Sequence, residues 1–537
     1  MSAKLIDKIT ECITQIISET NGIAIKDTLH LAINSEYANE HPQVKKSLKE
    51  FNKLLAGFQQ DEVEIQTLLI HPVSDALKLF FKNFPLPYKE EHIHLTGSLT
   101  AEFVYPRLKP LLEGPNKELY WKKIRETYGE NVKIESVEDV DELLRLKEEE
   151  QFERYLEILL LPKLILVDKN AHMEAAYHMA SELYHSYNVG FIRLKFTFSR
   201  ATTNTSEQIP GADNVSEEDV VLGLFEGFNE FKKKVPDFNF ILSPCFRKES
   251  TFFDGDNFAS KKEHFNFQID QILEILERNP QLRDHLTDVD TVGNERDLYS
   301  KGHFQDMKMG LRKLHYKGFS IRSHHGETWH TLKRGVQAVD NSMNIWHIDC
   351  LEHGLSLGIN PNFYYHSLYQ RCIEQNEQGI PIKDRSQEWR EIEEMDWREH
   401  EAIKIKLFSG VPLERDEKTI FVKTKFHAAR EVEHYQHDVL NRMLTKGVSL
   451  IALPSSNKRL TGSFQDYKDH PFSWWEKKGV KLGVGTDNYI TLGTNYIQEL
   501  LILLYTDWDS LKITKLLMVA TKEDRRPYIS QLLWQMR

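Results

Sequence analysis

Four short runs carry the side chains most able to do chemistry. His92-Ile93-His94 places two imidazoles two residues apart, which puts both on one face of a strand, where they can meet a single metal ion. Ser323-His324-His325-Gly326-Glu327 ends a strand-like run, Phe319 to Arg322, at a glycine turn. There His324 could be a third imidazole ligand, and Glu327 could pass protons between a water and a substrate ring nitrogen. In Leu351-Glu352-His353-Gly354, again a strand end before glycine, His353 could position or polarise the attacking water. Gly485-Thr486-Asp487-Asn488 offers Asp487 as a hard oxygen ligand. Three histidines, one aspartate and an open position make a catalytic zinc site. Each run taken singly also reads blandly, as an incidental pair, a satisfied histidine or turn chemistry. Their order along the chain gives them weight together.

The elements that must position these runs follow from an alternation of short β-type runs with helical stretches, as in βα units. Eight strands are predicted near Glu91–Leu95, Val189–Phe198, Phe238–Phe246, Leu286–Val292, Phe319–His324, Asn344–Leu351, Ser449–Leu453 and Lys481–Gly485. The four runs then end the first, fifth, sixth and eighth strands, at the carboxyl end where such barrels hold their active sites. The expected fold is α/β, a (β/α)8 TIM barrel over 85–537. A helical extension over 1–84 precedes it, and a charged, aromatic, mainly helical insertion at about 360–435 separates strands six and seven.

Composition narrows the class. The chain has 537 residues and a formal charge of −12, so a long nucleic acid is not an expected partner. Four cysteines, Cys12, Cys245, Cys350 and Cys372, lack CxxC spacing, which predicts no disulfide framework and a reducing compartment. The most apolar run, Leu156 to Val167, is broken by Pro162 and Lys163 and is too short for a bilayer of about 20 residues. A cytoplasmic chain without a membrane partner is expected.

Across roughly residues 85 to 530 the motifs resemble those of the adenosine/AMP deaminase family, within the metal-dependent hydrolases. They read His92-Ile93-His94-Leu95-Thr96-Gly97, Asp290-Thr291-Val292-Gly293-Asn294-Glu295, His324-His325-Gly326-Glu327, Glu352-His353-Gly354, Leu453-Pro454-Ser455-Ser456-Asn457 and Thr486-Asp487-Asn488-Tyr489. The resemblance implies one zinc ion on His92, His94, His324 and Asp487. It implies Glu327 as proton shuttle to purine N1, His353 as the group orienting the attacking hydroxide, and Asp487 as part of the catalytic centre. Gly293 would offer its N–H to purine N3, and Asn488, an amide where the family has a second aspartate, would donate to N7. The implied reaction is hydrolytic loss of the 6-amino group of an adenine nucleoside or nucleotide, giving the inosine product and ammonia.

Departures bear on the substrate. Thr96 replaces a carboxylate that contacts the 5′-hydroxyl in nucleoside-specific members, which leans the expectation toward a nucleotide. Arg193 and Lys195 on strand two stand where the family usually has Glu and Arg, and an internal role is expected for them. Lys458 and Arg459, after the seventh strand, are better candidates for a phosphate, or equally the start of a solvated helix. His325 and Glu352 replace small residues and are expected to alter the pocket wall. Two alternatives stay open: a fold-retaining scaffold or partner-activated subunit, for example in antiviral defence, and more distantly another amidohydrolase. Residues 1–84 or 360–435 are the candidate surfaces for a homo-oligomer or protein partner.

Overall fold

The computed structural model describes residues 3–20, 24–148, 150, 152–198 and 215–506. Its centre is one sheet of eight strands in sequential order. They are β1 Tyr88–His94, β2 Val189–Phe196, β3 Asn239–Arg247, β4 Asp288–Val292, β5 Ser320–His325, β6 Cys350–His353, β7 Ser449–Ala452 and β8 Leu482–Val484. Every neighbouring pair is parallel. Parallel neighbours need crossovers, and helices supply them on the outside. Closure comes just beyond β8, where Ile93 bridges Asp487 in parallel. Asp487 N–H donates to His92 O at 2.8 Å and His94 N–H to Asp487 O at 2.9 Å. The chain is therefore a (β/α)8 barrel.

Local chemistry explains the crossovers. The Lys169–Tyr187 helix starts at Asp168, whose carboxylate accepts from Ala171 N–H, and buries Ala175, Ala176, Met179 and Leu183. It stops at Asn188 in the left-handed conformation. The Glu217–Lys234 helix begins with a reciprocal Ser216/Asp219 capping box. Three acids in its first turn and Lys232, Lys233 and Lys234 in its last complement the helix dipole.

The sixth strand departs furthest from the sequence reading. Residues Ser342–Trp346 form a π-helical turn rather than the start of β6, and His347 after it is left-handed with φ 56°. Trp346 is buried there and its indole N–H donates to Phe304 O at 2.8 Å, which holds this apolar segment as the end of a helix. β6 is left with four residues.

Between Ala3 and Lys82 the described chain is built from six helices. Ile9, Ile13, Ile16 and Ile17 form the buried face of the first. The layer is tied to the helix after β8, Tyr496–Thr506, by Ser74 Oγ with Tyr505 Oη at 2.7 Å and by Gln59 Nε2 donating to Tyr505 O at 2.7 Å. Between β6 and β7 lie the helices Pro361–Glu377, Gln387–Glu394, Glu401–Ser409 and Arg415–Lys446. The last runs almost to β7, so the chain shows no break at 435. Residues 507–537 of the expected barrel domain lie outside the described residues. All four cysteines are buried, and none of them is in a disulfide. Among the described residues no helix is long and apolar enough to cross a membrane.

Glu391 pins this excursion to the barrel. Its buried carboxyl accepts from Tyr364 Oη at 2.8 Å, Tyr365 Oη at 2.9 Å and Leu332 N–H at 2.7 Å, the last at the start of the helix that follows β5. Burial pushes this carboxyl from its ordinary 4.5 up to about 7. The folded chain thus holds a proton that the unfolded chain has released between those values. The stability it contributes is full below the lower value and is lost as pH rises through the upper one. The advantage of Glu391→Gln over the wild type in thermal unfolding is expected to grow between pH 5 and 8, by roughly 2–3 kcal/mol. Parallel melting profiles for the two chains across that range would contradict this.

Candidate metal centre and active site

The carboxyl ends of β1, β5 and β8 bring the sequence-predicted ligands into one cluster, His324 adjoining it through His94 and Asp487 through His92 and His94. His92 Nε2 lies 3.2 Å from His94 Nε2, which lies 3.4 Å from His324 Nε2. Asp487 Oδ1 is 3.6 Å from His94 Nε2 and 3.9 Å from His92 Nε2. Asp487 reaches this position because the residue after β8 pairs with β1 and adopts φ 62°. A non-glycine residue there is strained, as side chains held for function often are. Glu90 secures the preceding residue, accepting from Thr486 Oγ1 at 2.9 Å and Thr486 N–H at 3.2 Å.

Hydrogen-bond partners assign the histidine tautomers. His92 Nδ1 faces Glu352 Oε2 at 2.7 Å, and His324 Nδ1 faces Asp290 Oδ1 at 3.1 Å. A carboxylate only accepts, so each Nδ1 carries the hydrogen and each Nε2 lone pair points into the cluster. Burial drives both rings well below their ordinary pKa, so they stay neutral, the form that binds metal. Converging lone pairs and a carboxylate repel one another without a cation between them. Ligands about 2.0–2.1 Å from one ion in a tetrahedral site stand roughly 3.3–3.4 Å apart. The donor set and spacing therefore fit a divalent metal ion.

Beside this cluster stand Glu327 and His353. Glu327 Oε2 is 3.7 Å from His353 Nε2. The turn bearing Glu327 is gripped from behind, because the Glu295 carboxylate accepts from the N–H groups of Gly326, Glu327 and Thr328 at 3.1, 2.7 and 2.9 Å. Burial, with Asp487 and Glu295 nearby, pushes the Glu327 carboxyl well above its ordinary range. Asn457 Nδ2 donates to His353 Nδ1 at 3.1 Å, while Asn457 Oδ1 accepts from His470 Nε2 at 3.2 Å. The hydrogen of His353 is thereby assigned to Nε2, which is buried and has no hydrogen-bond partner. His353 sits at φ 66° and Gly354 at φ 62°, a backbone reversal that aims the imidazole inward.

The residues expected to hold a purine are placed less uniformly. Asn488 adjoins the cluster, its Nδ2 donating to Asp487 Oδ1 at 2.9 Å and to the hydroxyl of Tyr155, while its Oδ1 is buried without a partner. Thr96 opens a short 3-10 turn after β1, and Gly97 follows because a Cβ there would come 1.9 Å from Asn488 Oδ1. Gly293 follows β4 at φ 107°, but the Glu249 carboxylate stands over it, so close that a Cβ would lie 2.3 Å from its Oε2.

Tyr155, on the Phe152–Ile158 helix, was not legible in the sequence; its hydroxyl donates to Asp487 Oδ1 at 3.4 Å. Ser456 Oγ donates to Asp487 Oδ2 at 2.6 Å, giving the Leu453–Asn457 run a role in holding both Asp487 and His353. His325 does not line the pocket wall. It bonds Ser323 Oγ at 2.7 Å and packs on Phe304 and Trp346, between strand and helix. Arg193 and Lys195 find internal carboxylate partners. Lys458 lies over the Tyr467 ring, and Arg459 Nη1 donates to Glu148 O at 2.6 Å.

No protein-family model and no curated protein sequence matches the chain. Among solved structures it is similar to a zinc-bound amidohydrolase from Burkholderia ambifaria, with 12% identity, a TM-score of 0.45, and coverage of 85% of this chain and 94% of that one. It is also similar to the apo N6-methyl-AMP deaminase of Arabidopsis thaliana, with 13% identity, a TM-score of 0.47, and coverage of 84% and 96%. A third similar structure is Arabidopsis ADAL complexed with IMP, with 13% identity, a TM-score of 0.45, and coverage of 84% and 96%.

Proposed function

We propose that this chain is a zinc-dependent hydrolytic deaminase of an adenine nucleoside or nucleotide, with one ion held by His92, His94, His324 and Asp487. The observation that carries the reading is the convergence of Nε2 lone pairs and the Asp487 carboxylate beside Glu327 and an unpartnered His353 N–H. Zinc, when bound, lowers the pKa of water there to near 7 and so supplies a nucleophile at neutral pH.

The chain's own residues do the rest. His353 Nε2–H donates to the oxygen entering beside it and fixes its direction of approach. Glu327 gives a proton to ring N1, which makes C6 electrophilic. The new bond is water oxygen to C6, and the bond that breaks is C6 to the exocyclic nitrogen. Glu327, now a carboxylate, takes the proton of the added oxygen and passes it to that nitrogen, ammonia leaves, and the ring keeps a 6-oxo group. Asn488, once its amide turns from Tyr155, has a donor for N7. Thr96 beside it brings no negative charge, which supports a 5′-phosphorylated substrate.

Adenosine, deoxyadenosine and their mono-, di- and triphosphates form the test panel, followed by ammonia release and the inosine-type product. Zinc in the purified chain without turnover of any of them would overturn the deaminase reading. The partner-activated alternative draws support from exposed apolar side chains on the excursion, with Ile405 60% and Phe426 51% exposed. Under that reading, turnover would appear only in complex.

A further inference from the structure

Beneath the ligands the barrel interior is filled by charge. Arg193, Lys195 and Arg322 face Glu91, Asp288, Asp290 and Glu352. Buried charges of this kind persist only when each is paired and hydrogen-bonded. Lys195 is the member that joins the two halves of the centre. Its ammonium bonds Asp290 Oδ2 and lies 3.1 Å from Glu352 Oε1, and all three side chains are fully buried. The other oxygen of Glu352 takes the Nδ1–H of His92 at 2.7 Å, and the other oxygen of Asp290 faces the Nδ1–H of His324 at 3.1 Å. One cation thus spans two carboxylates, each of which turns one imidazole. Arg322 Nε reaches the same Glu352 oxygen and fills its remaining side.

The geometry points to Lys195 as a positioning residue for the metal centre: through Glu352 and Asp290 it holds His92 and His324 with both Nε2 lone pairs aimed at one point. This rests on the ligand set proposed above, and it concerns metal affinity rather than the identity of the substrate. Partners behind metal-bound histidines fix tautomer and ring orientation, and losing one commonly weakens the metal 10–100-fold. Here a single side chain governs two such partners.

The test uses the full chain with Lys195→Met and Glu352→Gln. The glutamine keeps its shape and an acceptor for His92 but breaks the ionic link to Lys195. Both variants are expected to bind zinc about 10–100-fold more weakly in chelator competition. The visible spectrum of the cobalt-loaded protein should shift with them, since the ring geometry changes. A purely structural lysine would lower the melting temperature without moving either readout. Zinc affinity within about tenfold of wild type and an unchanged cobalt spectrum would overturn the assignment. Should Lys195→Met fail to fold, Glu352→Gln decides by the same two readouts. A wild-type chain that takes up no divalent ion would sink the ligand set and this inference together. A chain that binds zinc through this linkage yet deaminates nothing on the panel would sink only the deaminase reading.

Discussion

His94→Ala is expected to leave a folded chain that carries no zinc after dialysis and has lost at least about 10³-fold in turnover. His92 is fully buried, with Nδ1 committed to Glu352, whereas the His94 side chain is 18% exposed at the very end of β1. Removing it opens no cavity in the barrel core, so a folding defect is not expected to mask the result. What remains is His92, His324 and Asp487, with His94 Nε2 missing from the middle of the imidazole cluster. Without the ion, water at the site returns toward its bulk pKa of 15.7, and hydroxide is scarce at neutral pH. Elemental analysis, melting temperature and ammonia release on one preparation check this. A variant that keeps one equivalent of zinc would remove His94 from the ligand set.

Much of the centre was legible because its chemistry is local to strand ends. A β-strand has a period of two, so His92 and His94 had to share a face, and a histidine or aspartate before a turn had to lie at the barrel mouth. The same parity shows why the expectation for His325 failed. With His324 turned inward, His325 must face the helices, where Phe304 and Trp346 receive it. Charges two apart, Arg193 with Lys195 and Asp288 with Asp290, were also readable as one face of a strand. Which carboxylate each cation would meet depended on barrel register, and no spacing along the chain encodes that. Tyr155 reaches Asp487 from 332 residues away on a helix with no motif of its own. The early start assigned to β6 followed from apolar residues near 345, whose burial in a π-helical turn satisfies the same pattern as burial in a strand.

Glu327→Gln is expected to separate proton transfer from metal binding. The turn that carries residue 327 is held through backbone N–H groups by Glu295, so its shape does not depend on the Glu327 carboxyl. His353 Nε2, 3.7 Å away, can face an amide oxygen as well as a carboxyl. Zinc content and melting temperature should therefore match the wild type. An amide can still donate a hydrogen bond to a ring nitrogen, so substrate binding should survive, but it cannot release the proton. The loss should fall on kcat rather than KM, by about 10²–10⁴-fold, the usual contribution of a general acid-base group. That is roughly 3–5 kcal/mol of barrier. A kcat within tenfold of wild type would leave Glu327 without its assigned role. Loss of zinc would mean something different, since Glu327, His353 and Asp487 present ligand atoms within 4.8 Å of one another. In that case Glu327 would join the ligands, and the proton would have to come from another group.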